Sequence, residues 1–147
     1  MIPQEQQFPH DPEAGVFGDC FRASIASILE LPIEEVPHFL HDGNQELWLE
    51  RFTAFLNPLG YFMMSIPAAN WDFEGWMNES KIKGDIYHLI SDQSPRFENE
   101  LHCVVGRNGA VIHDPHPAKT GLPLKTEKRT FEFIIPLSPS IGAKECQ

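Results

Sequence analysis

The sequence predicts an α+β fold, in which an N-terminal helix that carries a cysteine packs on an antiparallel sheet. Two helical patterns occupy the first part of the chain, and the β-favouring runs come only after them. Helices first and strands later are typical of α+β proteins. A chain of 147 residues without an internal repeat fits a single domain, residues 1–147, in which we expect 138–147 to form a flexible tail.

The first helix is predicted to begin at Cys20, after an N-terminal arm formed by residues 1–18. Apolar residues follow at the spacing of one buried helical face, and Pro32 ends the helix. Gly18 and Asp19 offer a turn and an N-cap carboxylate immediately before it. Cys20 is therefore expected in the first turn of a buried helix.

A second helix is predicted from a capping pattern, Asp42 followed by Gln45, and from the apolar face that continues to Leu59. Aromatic residues between positions 67 and 84 are expected to anchor a long loop to the core. The β-favouring runs are residues 61–66, 86–90, 102–105, 110–113 and 131–135.

The net charge and the composition of the chain exclude some classes of binding partner. The formal net charge is −10 at pH 7, and no cluster of Lys and Arg could follow a phosphate backbone. We therefore expect neither nucleic acid nor a membrane as a partner. The N-terminus lacks the basic and apolar parts of a signal peptide, and no apolar stretch approaches the ~20 residues of a membrane span. A cytoplasmic location is expected.

The cysteines have no paired spacing, so a disulfide framework is not expected for Cys20, Cys103 and Cys146. Cys20 has the chemical context of a reactive thiol. The N–H groups and the partial positive charge of a helix's first turn favour a thiolate there and can also hold an oxyanion. Cys103 is expected to pack in the sheet, and Cys146 lies in the expected tail.

A reactive thiol needs an imidazole that takes its proton and a third group that orients the imidazole. His102 opens one predicted strand and Asp114 closes the next, with the hairpin signal Asn108-Gly109 between them. A two-residue turn would set Asp114 on the opposite face from His102 unless a bulge intervened. A three-residue turn, residues 107–109, would place the two side chains directly opposite each other. We expect the three-residue turn.

The order of these motifs resembles that of the papain-like cysteine peptidases, in particular the bacteriocin-leader-processing branch and its small bacterial and phage relatives. The similarity extends over about residues 6–122. It implies a papain-like fold and an enzyme that cleaves a peptide or other amide bond through an acyl-thioester. It also implies Cys20 as nucleophile, His102 as base and Asp114 as the group that orients the histidine. A protein or peptide is the implied substrate, and no cofactor is expected.

Two positions depart from the family's pattern. An oxyanion-hole glutamine usually stands about six residues before the cysteine, where this chain has Ala14, and a glycine usually follows the cysteine, where it has Phe21. The glutamines of this chain lie farther upstream. A loop at residues 9–18 could return Gln7 to the site, so Gln7 is expected to be the oxyanion donor.

Alternatives to hydrolysis stay open at this stage. An amine could replace water at the thioester, as in transglutaminase-like acyltransferases. The protein could also be a catalytically silent papain-fold binding factor of phage or bacterial origin. Metal binding is not expected at either H-x-x-H pair, His38 with His41 or His113 with His116, because no second Cys or His pair at the spacing of a zinc finger completes four ligands.

Overall fold

The computed structural model describes residues 1–137, which form α-helices and a five-stranded antiparallel sheet. The α+β class and the N-terminal helix are confirmed, whereas the expected tail, 138–147, lies outside the described residues. No helix within residues 1–137 is long and apolar enough to cross a membrane. The elements are α1 (Cys20–Leu29), α2 (Trp48–Leu56), β1 (Tyr61–Pro67), α3 (Phe73–Ser80), β2 (Tyr87–Gln93), β3 (Leu101–Arg107), β4 (Ala110–His113) and β5 (Thr130–Pro136).

The sheet has the strand order β1-β5-β2-β3-β4 and separates two apolar clusters. Successive side chains of a strand point to opposite faces, so neighbouring residues enter different clusters. On β3, Cys103 joins the cluster that contains α1 and α2, whereas Val104 joins the cluster that contains α3. On β2, Leu89 and Ile90 divide in the same way. Each helix layer therefore covers its own face of the sheet.

The turn between β3 and β4 has two residues, so the expected three-residue turn is wrong. Asn108 and Gly109 both have positive φ, 53° and 90°, which is the conformation of the type I′ hairpin turn. The register then shifts, and Ile112 has no partner opposite it on β3. This β-bulge reverses the side-chain alternation, and it returns Asp114 to the face that carries His102.

The first half of β3 lies beside α1. Strand β4 ends at His113, which pairs with Val105, so it does not extend along the residues of β3 before Val105. Ser24 of α1 donates its hydroxyl to the main-chain oxygen of Cys103 at 3.3 Å. Ala23 and Ala26 are fully buried, and such small side chains let the helix backbone approach closely. This contact sets the N-terminal end of α1 beside the start of β3.

Two predicted features around the helices need correction. Helix α2 begins at Trp48 rather than near Asp42, because the Asp42 carboxylate binds the guanidinium of Arg51 instead of capping a helix. The segment between β1 and β2 is not only a loop, since it contains α3, which Asp72 caps by accepting the N–H of Gly75 at 3.0 Å. The aromatic residues of this segment do anchor it to the second cluster, through Trp71 and the buried Phe73.

Candidate active site

A cleft of about 670 Å³ lies between the N-terminal half of the chain and the sheet. Cys20 and His102 both line it, the first from the beginning of α1 and the second from the beginning of β3. Cys20 is partly exposed, whereas His102 is almost completely buried. A ligand in the cleft can therefore reach the thiol, while the imidazole is shielded from bulk water.

His102 is held by Asp114. The Nε2 atom of the ring lies 2.8 Å from Asp114 Oδ1. The same carboxylate accepts the main-chain N–H groups of His116 at 2.9 Å and Gly121 at 2.7 Å. Burial opposes ionisation of Asp114, but the hydrogen bonds and the neighbouring imidazole outweigh it and lower the pKa of this carboxyl. Asp114 is thus a fixed anion that orients the ring.

The other ring nitrogen of His102 is left for the thiol. Nε2 is taken by Asp114, so Nδ1 is the ring nitrogen that remains available to Cys20. Burial by itself would lower the pKa of His102. The hydrogen bond to Asp114, the neighbouring Cys20 side chain and the charges of both groups reverse this effect and raise the pKa to about 9. The raised pKa therefore favours an imidazolium that pairs with the Asp114 carboxylate.

Asp19 holds the N-terminal arm against α1, which corrects its predicted role as a helix cap. It stands at the N-cap position, but its carboxylate makes no hydrogen bond to the helix backbone. It accepts instead the main-chain N–H groups of Phe8 at 2.9 Å and Gln7 at 3.3 Å, and it pairs with Arg22 at 3.1 Å. The arm is therefore attached to the residue that immediately precedes Cys20.

The arm brings Gln6, not Gln7, into the cleft wall. Gln6 is buried, its main-chain N–H donates to Pro115 O at 3.0 Å, and its side-chain Nε2 donates to Phe8 O at 3.0 Å. The Gln7 side chain binds Glu34 and Arg22 and does not line the cleft. The expected placement of Gln7 at the site is thus corrected to its neighbour, whose side chain takes the opposite direction.

A polar floor of the cleft was missed by sequence reasoning. Glu132 on β5 is buried and lines the cleft, and it accepts hydrogen bonds from the hydroxyls of Ser91 and Thr130. Burial raises the pKa of Glu132 to about 7, although those hydroxyls act in the opposite direction. The alternation of β5 carried the signal, because Phe131 and Phe133 flank this glutamate and both enter the second cluster.

The other cysteine and histidine residues that the sequence analysis considered are not part of the Cys20, His102 and Asp114 group. Cys103 is buried, and burial, followed by the charges of Glu132 and Cys20, raises the pKa of its thiol. The His113 ring is bound to Gln4 O at 2.9 Å. Within residues 1–137, no three or more His, Cys, Asp or Glu side chains form a group that could hold a metal ion.

Comparisons of this chain with profiles of known protein families, with curated protein sequences and with solved structures find no match. Its function is therefore inferred from the side chains of the cleft.

Proposed function

We propose that the protein is a papain-like cysteine hydrolase that cleaves a peptide or other amide bond. One observation carries the proposal. Cys20, at the start of α1, and His102 line the same cleft, and Nε2 of the His102 ring lies 2.8 Å from Asp114 Oδ1. The proposed nucleophile and base thus line one cleft, and the group that orients the base is bonded to it, as covalent amide hydrolysis requires.

In the proposed reaction, the Cys20 thiolate attacks the substrate carbonyl carbon, and a tetrahedral oxyanion forms. The His102 imidazolium gives its proton to the leaving amine, the carbon–nitrogen bond breaks, and an acyl-thioester remains. Neutral His102 then takes a proton from water, whose oxygen attacks the thioester carbon. The acid product leaves, and the thiolate and imidazolium are restored. Asp114 stabilises the protonated ring without taking its proton.

Two donors suit the oxyanion. The main-chain N–H of Cys20 lies in the first turn of α1, where helix N–H groups have no intrahelical acceptor. The Gln6 amide uses one hydrogen on Phe8 O, and its second hydrogen is available to a ligand in the cleft. We therefore assign Gln6 the role that the sequence pattern gave to Gln7.

The fold and the thiols support the same proposal. A cysteine opens the first helix, a histidine stands near the start of β3, and an aspartate follows β4, which is the motif order of the papain-like peptidases. Cys20 and Cys103 are both free thiols, which suits a reducing compartment. We therefore propose a cytoplasmic location and a protein or peptide substrate.

The decisive test is the rate at which iodoacetamide alkylates Cys20 as a function of pH, with the modified cysteine identified by mass spectrometry. We expect the native protein to react faster than glutathione between pH 5 and 7, and His102→Ala to react at least about tenfold more slowly. The matched control is His10→Ala, because His10 lines the same cleft and is not bonded to Asp114.

Each outcome is informative if circular dichroism shows that the variants are folded. Loss of reactivity in His102→Ala but not in His10→Ala supports the thiolate–imidazolium pair and justifies a substrate screen. Slow alkylation that neither variant changes would remove the enzyme proposal. Alkylation of Cys103 does not interfere with the measurement, because this thiol is buried and mass spectrometry detects it on a different proteolytic peptide from Cys20.

A further inference from the structure

Glu132 differs from the other buried carboxyl groups within residues 1–137. It lines the cleft, and no lysine, arginine or histidine among those residues forms an ion pair with it. A buried carboxylate without a cation is costly, so most are paired. The other three have cationic partners: Arg22 for Asp19, Arg129 for Asp92 and His102 for Asp114.

The hydrogen bonds of Glu132 prepare it for a ligand but do not neutralise it. Ser91 donates to Oε2 at 3.3 Å and Thr130 donates to Oε1, so both carboxyl oxygens are oriented by hydroxyl groups. A hydroxyl carries no net charge. Burial accordingly raises the pKa of Glu132 to about 7, which is the response of a carboxyl that lacks a cation. A cation that entered the cleft would remove this penalty.

Glu132 and the Cys20 thiol line the same cleft. Ser91 is the register partner of both Cys103 on β3 and Thr130 on β5, so these residues form one row across the sheet. Cys103 is close enough to both Glu132 and Cys20 for their charges to raise its pKa. Glu132, Cys103 and the proposed nucleophile Cys20 therefore belong to the lining of one continuous cleft.

The walls of the cleft suit a long aliphatic side chain with a charged end. Phe21, Trp48 and Met63 line it together with Glu132, and Ser65 adds a further hydroxyl beside the carboxyl, as the register partner of Glu132. Lysine and arginine bury their methylene stems against such apolar surfaces while the charged end reaches a polar group. A neutral apolar side chain would leave the carboxyl desolvated and unpaired.

From these contacts we propose that Glu132 is the specificity-determining residue of the cleft, and that it selects a substrate with a lysine or arginine side chain next to the bond that Cys20 attacks. The assignment of the attacked bond rests on the proposed function. The cation subsite itself rests on Glu132 and on its position in the cleft.

The test compares two small ligands that differ in charge but have nearly the same shape, Nα-acetyl-arginine methylamide and Nα-acetyl-citrulline methylamide. Each is titrated into ¹⁵N-labelled Cys20→Ala protein, which cannot turn the ligands over, and binding is followed by backbone amide shifts. We expect the arginine compound to bind about tenfold or more tightly than the citrulline compound. The largest shifts are expected at Ser91, Thr130 and Glu132.

Two variants, made in the same background, locate the preference. Glu132→Gln should bind both ligands equally. Glu100→Gln is the matched control and should keep the preference, because Glu100 also lines the cleft but lies immediately before β3 and not on β5. Equal affinity of the two ligands for the Cys20→Ala protein would overturn the proposal. A preference that survived in Glu132→Gln would also overturn it. Should Glu132→Gln fail to fold, the ligand comparison and the positions of the shifts decide alone.

The subsite and the proposed function can fail separately. The titration needs no reactive cysteine, whereas the alkylation test needs no cationic ligand. Arginine selection by a protein whose Cys20 proves unreactive would leave a binding cleft for basic peptides and remove the hydrolase. A reactive Cys20 without arginine selection would keep the hydrolase and remove Glu132 as its specificity-determining residue.

Discussion

His102 Nε2 lies 2.8 Å from Asp114 Oδ1, although the two-residue turn between their strands, without a bulge, sets these side chains on opposite faces of the sheet. The bulge at Ile112 removes this conflict, because the extra residue reverses the alternation of β4 before Asp114. The proposed catalytic pair therefore depends on an irregularity of the strand.

Replacing Asp114 by Asn should lower the pKa of His102 from about 9, because the ring loses the hydrogen bond and charge of the carboxylate while burial still opposes its protonation. NMR titration of the histidine ring protons measures this directly. The folded protein should also lose about 3 kcal/mol of stability, since a buried partner is removed. Asp85→Asn is the control, because Asp85 forms an exposed pair with Arg107. A His102 that still titrated near 9 in Asp114→Asn would contradict the assignment.

The direction of the pH dependence follows from the same pair. Because the pKa of His102 is raised above 6.5, its contribution to stability is complete below about pH 6.5 and is lost as the pH rises through about 9. The pKa of Asp114 is lowered, so its contribution is present above the ordinary aspartate value and is lost in acid. In urea denaturation, we expect the difference in the free energy of unfolding between the wild type and Asp114→Asn to be largest between the ordinary aspartate pKa and about pH 6.5. The difference should become smaller at lower and at higher pH.

The hairpin shows how far the sequence could predict the site. The β-favouring runs and the dipeptide Asn108-Gly109 predicted two neighbouring strands, and the motif order singled out Cys20, His102 and Asp114. The turn length was predicted wrongly because the bulge at Ile112 has no clear sequence signature. A three-residue turn and a two-residue turn followed by a bulge both place Asp114 on the face of His102. The pairing of these two residues was therefore predicted, but from the wrong turn geometry.

Gln6 and Glu132 show where sequence reasoning ended. The side chain of Gln6 is directed into the cleft because Asp19, far along the chain, fixes the two residues after it. Glu132 lies on the cleft face because β5 is inserted between β1 and β2, and strand order was not readable from local patterns. Both placements depend on contacts between distant parts of the chain. The periodicity of the sequence shows only which residues share a face of one element, so it could not predict either placement.

Asp19→Asn should release the N-terminal arm. The carboxylate is buried and binds the arm backbone and Arg22 together, so its neutralisation leaves a buried guanidinium without its anion. We expect a loss of about 3 kcal/mol in denaturant unfolding and faster proteolysis within residues 1–18. Asp11→Asn is the control, since Asp11 is exposed and its carboxylate accepts the local N–H groups of Glu13 and Ala14. Equal effects of the two changes would show that Asp19 does not hold the arm.

Gln6→Ala should slow the reaction with an activated acyl substrate, whereas Gln7→Ala should not. The loss of one oxyanion donor typically costs about 10²-fold in kcat. The assay is the release of p-nitrophenol from p-nitrophenyl acetate, with iodoacetamide alkylation of Cys20 measured alongside. Alkylation forms no oxyanion, so it should change little in either variant. A deficit in Gln7→Ala alone would return the role to Gln7.

Gly106→Ala tests the support behind the hairpin. A Cβ atom at this position would lie 2.4 Å from His88 Cε1 and 2.8 Å from Ile90 Cδ1, so His88 must move. His88 Nε2 accepts the N–H of Gly109 at 3.0 Å, and burial lowers the pKa of His88, which keeps this nitrogen unprotonated. We expect a loss of about 1–3 kcal/mol in thermal or urea unfolding, because overpacking also displaces the turn.

His88→Ala provides the matched second change, because it opens the space that the new methyl group needs. If the clash is the cause, the double variant should be less destabilised than the sum of the two single variants, by about 1 kcal/mol or more. Strict additivity would instead mean that Gly106 acts through its own backbone. His88 also accepts the N–H of Gly109, so it connects β2 to the turn between β3 and β4.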